Sequence, residues 1–223
     1  MLAILADIHG NYPALQAVLD QVDRLDCERV ISLGDVAGYY AQPNECIAVL
    51  RERKILNLMG NHDHYMVTGC ECPRSRSAND CLAYQRKVMT ADNLAWLAES
   101  PVSAALGEIR MVHAGWNDSL DEYLLNPEEG YFRDLTGTIF LSGHTHIPIV
   151  RDFGDKLYAN PGSVGQPRDG DPRASFAVLE GRQVRIERVA YDIDATASAM
   201  REAGFNLYYY RNLYGGTRIG AAG

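Results

Sequence analysis

Apolar positions in the first sixty residues follow two patterns. Residues 2–6 form an apolar run that reads as a buried strand, and the apolar-rich stretches 29–33 and 55–59 read as two more strands. Between them, Leu15, Val18, Leu19, Val22 and Leu25 recur at helical spacing on one stripe, and residues 44–53 form a second helical stretch. Pro13 stands where the first helix opens, because a missing amide costs least in the first turn. This β-α-β-α-β order predicts parallel pairing with right-handed crossovers.

The pattern then changes. Residues 66–80 are polar, rich in Arg, Ser and Cys, and predict a loop. Residues 81–88 and 90–99 predict helices, with Thr90 as an N-cap and Pro101 at the exit. Seven strands are predicted at 102–106, 109–113, 138–142, 148–152, 156–160, 174–180 and 183–189. Gly107-Glu108, Gly154-Asp155 and Gly181-Arg182 sit where hairpin turns should fall. A last helix fits residues 195–203. Residues 205–223 form a tail rich in Tyr and Gly, with Tyr208, Tyr209, Tyr210 and Tyr214. We read it as a surface strap or a subunit contact, the second of which implies a homo-oligomer. The chain shows no internal repeat and no linker, so residues 1–223 are expected to form a single domain.

Composition narrows the class. A chain of 223 residues that is 47% hydrophobic and 22% charged suits one soluble unit with a large core. A net charge of -8 argues against long nucleic acid as a partner, yet leaves room for a small anion drawn to a local positive site. The opening MLAILADIHG is too short, and lacks the basic flank, for a secretory signal, and no run reaches membrane-spanning length. The five cysteines include no Cys-x-x-Cys pair and read as free thiols in a reducing cytoplasm. Cys70, Cys72 and Cys81 are assigned to a surface loop rather than to an extra zinc site with His64, because Cys-x-Cys is not a usual zinc spacing.

The candidate chemistry lies in five short motifs that hold five of the six histidines: Asp7-Ile8-His9, Gly34-Asp35, Gly60-Asn61-His62-Asp63, Val112-His113 and Gly143-His144-Thr145-His146. Each directly follows an apolar, strand-like run. In open α/β sheets the carboxyl ends of strands are where ligands bind, so five segments converge on one rim. Carboxylate, imidazole and amide oxygen together suit first-row divalent ions rather than copper-type or all-thiolate sites. Two such ions roughly 3.5–4 Å apart can clamp an in-line displacement at phosphorus and generate hydroxide near neutral pH.

In these motifs and their order, the chain resembles the calcineurin-like metallophosphoesterase superfamily from Asp7 to about Arg173. The resemblance implies a four-layer α/β/β/α sandwich of two mixed sheets flanked by helices. It implies that Asp7, His9 and His146 hold one metal ion, that Asn61, His113 and His144 hold the other, and that Asp35 bridges both. It further implies a metal-bridging hydroxide as nucleophile, His62 as general acid, and Asp63 orienting or tuning the His62 ring. Mn²⁺ is the expected ion, with Fe, Zn, Co or Ni compatible with the same ligands.

GDVAGYYAQPNE and NPGSVGQPR look like a bacterial branch of small phosphodiesterases and dinucleoside-polyphosphate hydrolases. The Gly-Asp-x-x-Asp-Arg-Gly of the Ser/Thr phosphatases is absent, since Asp35 is followed by Val-Ala-Gly-Tyr-Tyr. A small phosphodiester or nucleotide is therefore the expected substrate. The alternatives are a phosphoprotein phosphatase and a non-catalytic, metal-stabilised scaffold.

Outside the motifs, Arg168 is a candidate phosphate ligand, with Arg173 beside it. Tyr39, Tyr40 and Trp116 follow ligand-bearing segments. They are read as rim residues that either stack on a base or simply pack, and Tyr39 is the one carried forward as a substrate contact. Asn160-Pro161-Gly162-Ser163 is read as a turn supporting the metal loops.

Overall fold

The computed structural model describes residues 1–221; the last two residues of the predicted tail lie outside the described residues. The element order is β1 (Leu2–Leu5), α1 (Tyr12–Arg24), β2 (Arg29–Ser32), α2 (Pro43–Glu52), β3 (Leu56–Asn57), α3 (Asn61–Thr68), α4 (Arg76–Val88) and α5 (Ala91–Ala98). It continues with β4 (Ser103–Leu106), β5 (Ile109–Val112), α6 (Glu129–Phe132), β6 (Ile139–Leu141), β7 (Ile149–Asp152) and β8 (Leu157–Asn160). β9 (Ala174–Glu180), β10 (Gln183–Val189) and α7 (Ile193–Glu202) follow. Two short 3-10 turns, Leu207–Tyr209 and Arg211–Gly215, complete the tail.

Two mixed sheets form. The first runs β10-β9-β1-β2-β3, with β1, β2 and β3 parallel and the β9–β10 hairpin antiparallel along the other edge of β1. The second runs β4-β5-β6-β8-β7, with β5, β6 and β8 parallel between two antiparallel edge strands. All three predicted Gly-x turns close these hairpins.

The layers follow from strand alternation. On β1, Leu2 and Ile4 turn toward the second sheet and pack with Ile139 and Leu141 of β6, whereas Ala3 and Leu5 turn toward the helices. Complete burial of one such Leu or Ile contributes roughly 1.5–3 kcal/mol. The helical face of the first sheet takes Leu15, Val18, Leu19 and Val22 of α1, the predicted stripe. On the far side of the second sheet, Phe140 and Tyr158 are covered by Phe132 of the one-turn helix α6 and by Leu124. The result is an α/β/β/α sandwich whose last layer is thin. No helix among the described residues is long and apolar enough to cross a membrane.

Two expectations need correction. The polar stretch 66–80 is helical at both ends around a loop at 69–75, because α3 reaches Thr68 and α4 begins at Arg76, with the Ser75 side chain accepting the amide of Ala78. Helix α3 escaped notice because its first turn is made of site residues, which break any apolar stripe. The cysteines do not share a surface loop: Cys70 is exposed, but Cys72 and Cys81 are buried. Asn79 staples the loop at Cys72 by accepting its amide at 2.7 Å and donating to its carbonyl at 3.0 Å.

Candidate metal centre

The parallel strands deliver the site. Asp7 and His9 follow β1, Asp35 follows β2, and Asn61 to Asp63 open α3 just after β3. His113 follows β5, and His144 and His146 follow β6. The backbones stay paired past the strand ends: the Asp7 amide donates to Gly34 O at 3.0 Å and the His9 amide to Asp35 O at 2.9 Å. The two sheets are tied across the rim by the His144 amide, which donates to Asp7 Oδ2 at 2.9 Å.

These turns are sharp. Seven non-glycine residues among those described have positive φ, and five of them are Asp7, His9, Asp35, His144 and His146. Side chains that could adopt extended backbone freely are held in the left-handed region, a costly state that is kept where the surroundings enforce it. Gly60 is needed for a different reason: a Cβ there would collide with the Asp35 carboxylate. The turn at residues 160–166 braces the rim, with Ser163 Oγ donating to Asp7 O at 2.7 Å and Asn160 Nδ2 donating to Gly143 O at 2.6 Å.

Three groupings of donor atoms result, each with its atoms within 4.8 Å of one another: Asp7, His9 and His146; Asp35, His113 and His144; and His9, Asp35 and His62. All of these side chains are buried. Backbone carbonyls set the histidine tautomers. Nδ1 of His9 donates to Ala37 O at 2.8 Å, Nδ1 of His146 to Gln166 O at 2.7 Å, and Nδ1 of His113 to Leu33 O at 3.0 Å. Each Nε2 is thereby left with a lone pair. Nε2 of His9 and Nε2 of His146 face each other at 3.1 Å, two acceptors that repel unless a cation lies between or beside them. Asp7 Oδ1 is buried with no hydrogen-bond partner among the described residues, 3.4 Å from that His146 nitrogen. This donor set fits divalent cations: it offers hard oxygens and neutral imidazoles whose free electron pairs converge.

The electrostatics agree. Burial raises the Asp7 carboxyl to about 7. Burial, and then the neighbouring Asp63 charge, push Asp35 well above the usual carboxylate range. Burial lowers the pKa of His9, His144 and His146, and takes His62 down to about 3, with the Arg168 charge as its next cause. The protein alone thus favours uncharged groups here, and positive ions would reverse the preference of the carboxylates.

A cavity of about 910 Å³ opens over the centre, with Asp35, Asn61, His62, His144 and His146 on its floor. The Calcineurin-like phosphoesterase superfamily domain matches residues 1–183. The chain belongs to the calcineurin-like phosphoesterase superfamily. It is similar to an uncharacterized protein of Methanocaldococcus jannaschii, 34% identical over 219 residues that cover 86% of this chain and 88% of that protein. Phosphodiesterase YfcE of Escherichia coli is 25% identical over 198 residues, covering 80% of this chain and 86% of that one. Among solved structures, a metallophosphoesterase from Sphaerobacter thermophilus superposes with a TM-score of 0.84 at 30% identity, covering 96% of this chain and 98% of that one. A Pyrococcus horikoshii protein shares the fold, with a TM-score of 0.88 at 20% identity over 97% of this chain and 99% of that one. Family and donor groupings together make this chain a metallophosphoesterase.

In this phosphoesterase all the motif residues meet at one place, but some neighbours stand elsewhere than expected. Asp63 makes no hydrogen bond to the His62 ring. Its Oδ2 accepts the amides of Asp35 at 2.8 Å and Gly60 at 3.2 Å, and its Oδ1 accepts the amide of Ala37 at 2.9 Å. The reason is helical geometry: adjacent residues on α3 point in different directions, so Asp63 turns back onto the Asp35 loop. His62 lies edge-on to His9 and beside Tyr39, and its Nδ1 is buried without a partner among the described residues. Arg168 and Tyr39 both line the cavity, the guanidinium 5.6 Å above the ring. Tyr40 is fully buried, Trp116 packs on Phe132 and Phe140, and Arg173 pairs with Asp171, so these three are not rim contacts.

Two contributors escaped the sequence reading. Gln85 is buried on α4, donating to Tyr40 O at 2.6 Å and accepting the Gly38 amide at 2.8 Å. Its position after Ala78, Cys81 and Leu82 places a polar side chain on the apolar stripe, which was the available signal. The Tyr123 ring lies tilted against His144, centroids 4.3 Å apart, carried by a loop with no periodicity to betray it.

Proposed function

We propose that this metallophosphoesterase hydrolyses small phosphodiesters or nucleotide phosphoanhydrides at a centre for two divalent ions, with Mn²⁺ as the native ion and the cytoplasm as its compartment. Asp7, His9 and His146 would hold one ion; Asn61, His113 and His144 would hold the other. One observation carries the reading. Asp35 Oδ2 stands 3.7 Å from His9 Nε2 and 3.5 Å from His113 Nε2, between the two donor sets. A carboxylate in that place serves both.

Bound ions there would supply Lewis-acid polarisation of the phosphoryl oxygen and activation of water. The chain's own residues do the rest. Arg168 and Tyr39 bind and orient the substrate from the cavity wall. Asp63 fixes the Asp35 loop through two amides, those of Asp35 and Ala37. His62 makes no side-chain hydrogen bond among the described residues, and an anionic substrate beside it would offset the burial that keeps the ring neutral, so that it could pass a proton to the leaving oxygen. The small-molecule preference is supported by the cavity, whose volume suits a nucleotide-sized ligand. The similarity to an E. coli protein named as a phosphodiesterase points the same way.

The test is a hydrolysis panel with Mn²⁺, comparing bis-p-nitrophenyl phosphate, p-nitrophenyl phosphate, cyclic nucleotides, dinucleoside polyphosphates and a phosphopeptide. The reading expects diesters or anhydrides to lead. A phosphopeptide as the best substrate would overturn that choice, and no turnover on any of them would favour the scaffold.

A further inference from the structure

The tail is part of the cavity. After α7 the chain folds back on its own domain, with Tyr210 and Leu213 buried in the helical core. Asn212 Nδ2 donates to the hydroxyl of Tyr40 at 3.0 Å and to Thr217 O at 2.9 Å. Tyr40 belongs to the loop that follows Asp35, so the tail is pinned to a site-bearing segment. The turn that follows requires glycine: Gly216 has φ +59°, and a Cβ there would lie 2.5 Å from the Asp171 backbone. The Gly170 amide closes the turn on Gly216 O at 3.0 Å. Beyond it, Thr217, Arg218, Ile219 and Gly220 line the cavity over the metal centre.

The charge on this wall runs against that of the whole chain. Four arginines line the cavity, Arg74, Arg76, Arg168 and Arg218, and Asp35 on the floor is the only carboxylate doing so among the described residues. The protein as a whole carries -8. Arg74 is neutralised by Asp121. Arg168 is held near the floor by Gln166 and Tyr39. Arg76, at the start of α4, and Arg218, on the tail, have no carboxylate partner among the described residues.

We propose that Arg76 and Arg218 bind a second anionic group of the substrate, so that the molecule turned over carries at least two phosphate groups, one at the metal centre and one on the wall that the tail completes. This rests on the phosphoesterase reading above and narrows it. A diester with a single negative charge gives these two guanidinium groups nothing to hold, whereas a polyphosphorylated small molecule satisfies floor and wall together.

The test separates this inference from turnover. Tripolyphosphate and orthophosphate are titrated calorimetrically into metal-free protein, as wild type, as Arg218→Glu and as Arg76→Ala/Arg218→Ala. Wild type should bind tripolyphosphate more tightly than orthophosphate. Each variant should weaken tripolyphosphate by about tenfold or more, the scale of one lost charge-assisted contact, and should shift orthophosphate less than twofold. Thermal melts confirm that the variants are folded, which exposed arginines should permit. Equal losses for both anions, or no loss for tripolyphosphate, would overturn the proposal. Failure of the phosphoesterase reading would show separately, as wild-type protein that hydrolyses no ester in the Mn²⁺ panel.

Discussion

Asp63 Oδ2 accepts the backbone amide of Asp35 at 2.8 Å, so the carboxylate beside the candidate acid holds the proposed bridging carboxylate in place. Its second oxygen accepts the Ala37 amide, leaving little freedom in the Asp35 loop. Asp63→Asn turns an amide NH₂ toward these donors. The variant should lose about 1–3 kcal/mol of stability and bind metal more weakly, as measured by thermal melts and metal titration. Unchanged affinity for both ions would show that the Asp35 loop needs no such clamp.

His62→Asn should retain metal and lower turnover by about 10²–10⁴ for a poor leaving group, with much less effect when the leaving group is p-nitrophenolate. Loss of an ion from this variant would instead place His62 among the ligands, in the grouping it forms with His9 and Asp35.

Metal uptake should release protons at acidic pH. Burial raises the Asp7 carboxyl to about 7, so at pH 6 it is mainly protonated in metal-free protein, while a cation requires it ionised. Burial holds His9, His144 and His146 low, so these rings are already neutral there and release nothing. Calorimetry in buffers of different ionisation enthalpy should find about one proton or more released per chain at pH 6, and Asp7's share should vanish as pH rises past about 7. No release at pH 6 would contradict the buried, protonated carboxyl.

Gln85→Leu removes a buried amide that serves both Gly38 and Tyr40. It leaves an N–H and a carbonyl without partners, at a cost of about 1–3 kcal/mol each. Denaturant unfolding should show the loss, and substrate KM should rise because Tyr39 lies between the two braced residues. A neutral result on both would make Gln85 a spectator.

The legible part of this molecule was the part governed by periodicity and spacing. The stripe from Leu15 to Val22 and the strand runs before Asp7, Asp35 and His113 could be read because burial imposes a repeat, and the motif residues because each sits where a parallel strand ends. The hydrogen bonds of Asp63 to the Asp35 loop were not legible, because sequence adjacency to His62 says nothing about direction on a helix. Cys72 was misjudged for a related reason: its burial comes from contacts such as those with Asn79, which link residues by fold rather than by local pattern, and the packing of Tyr40 under the tail rests in the same way on Asn212. Arg76 and Arg218 lie 142 positions apart and meet only around the cavity.

Metal content measured against activity tests most directly whether two ions share Asp35. Protein stripped with EDTA should be inactive. Mn²⁺ added back should restore turnover as occupancy, counted by inductively coupled plasma mass spectrometry, approaches two ions per chain. Asp35→Asn should fall short of that occupancy and stay inactive. Full activity in metal-free protein, or two firmly bound ions in Asp35→Asn, would contradict the account.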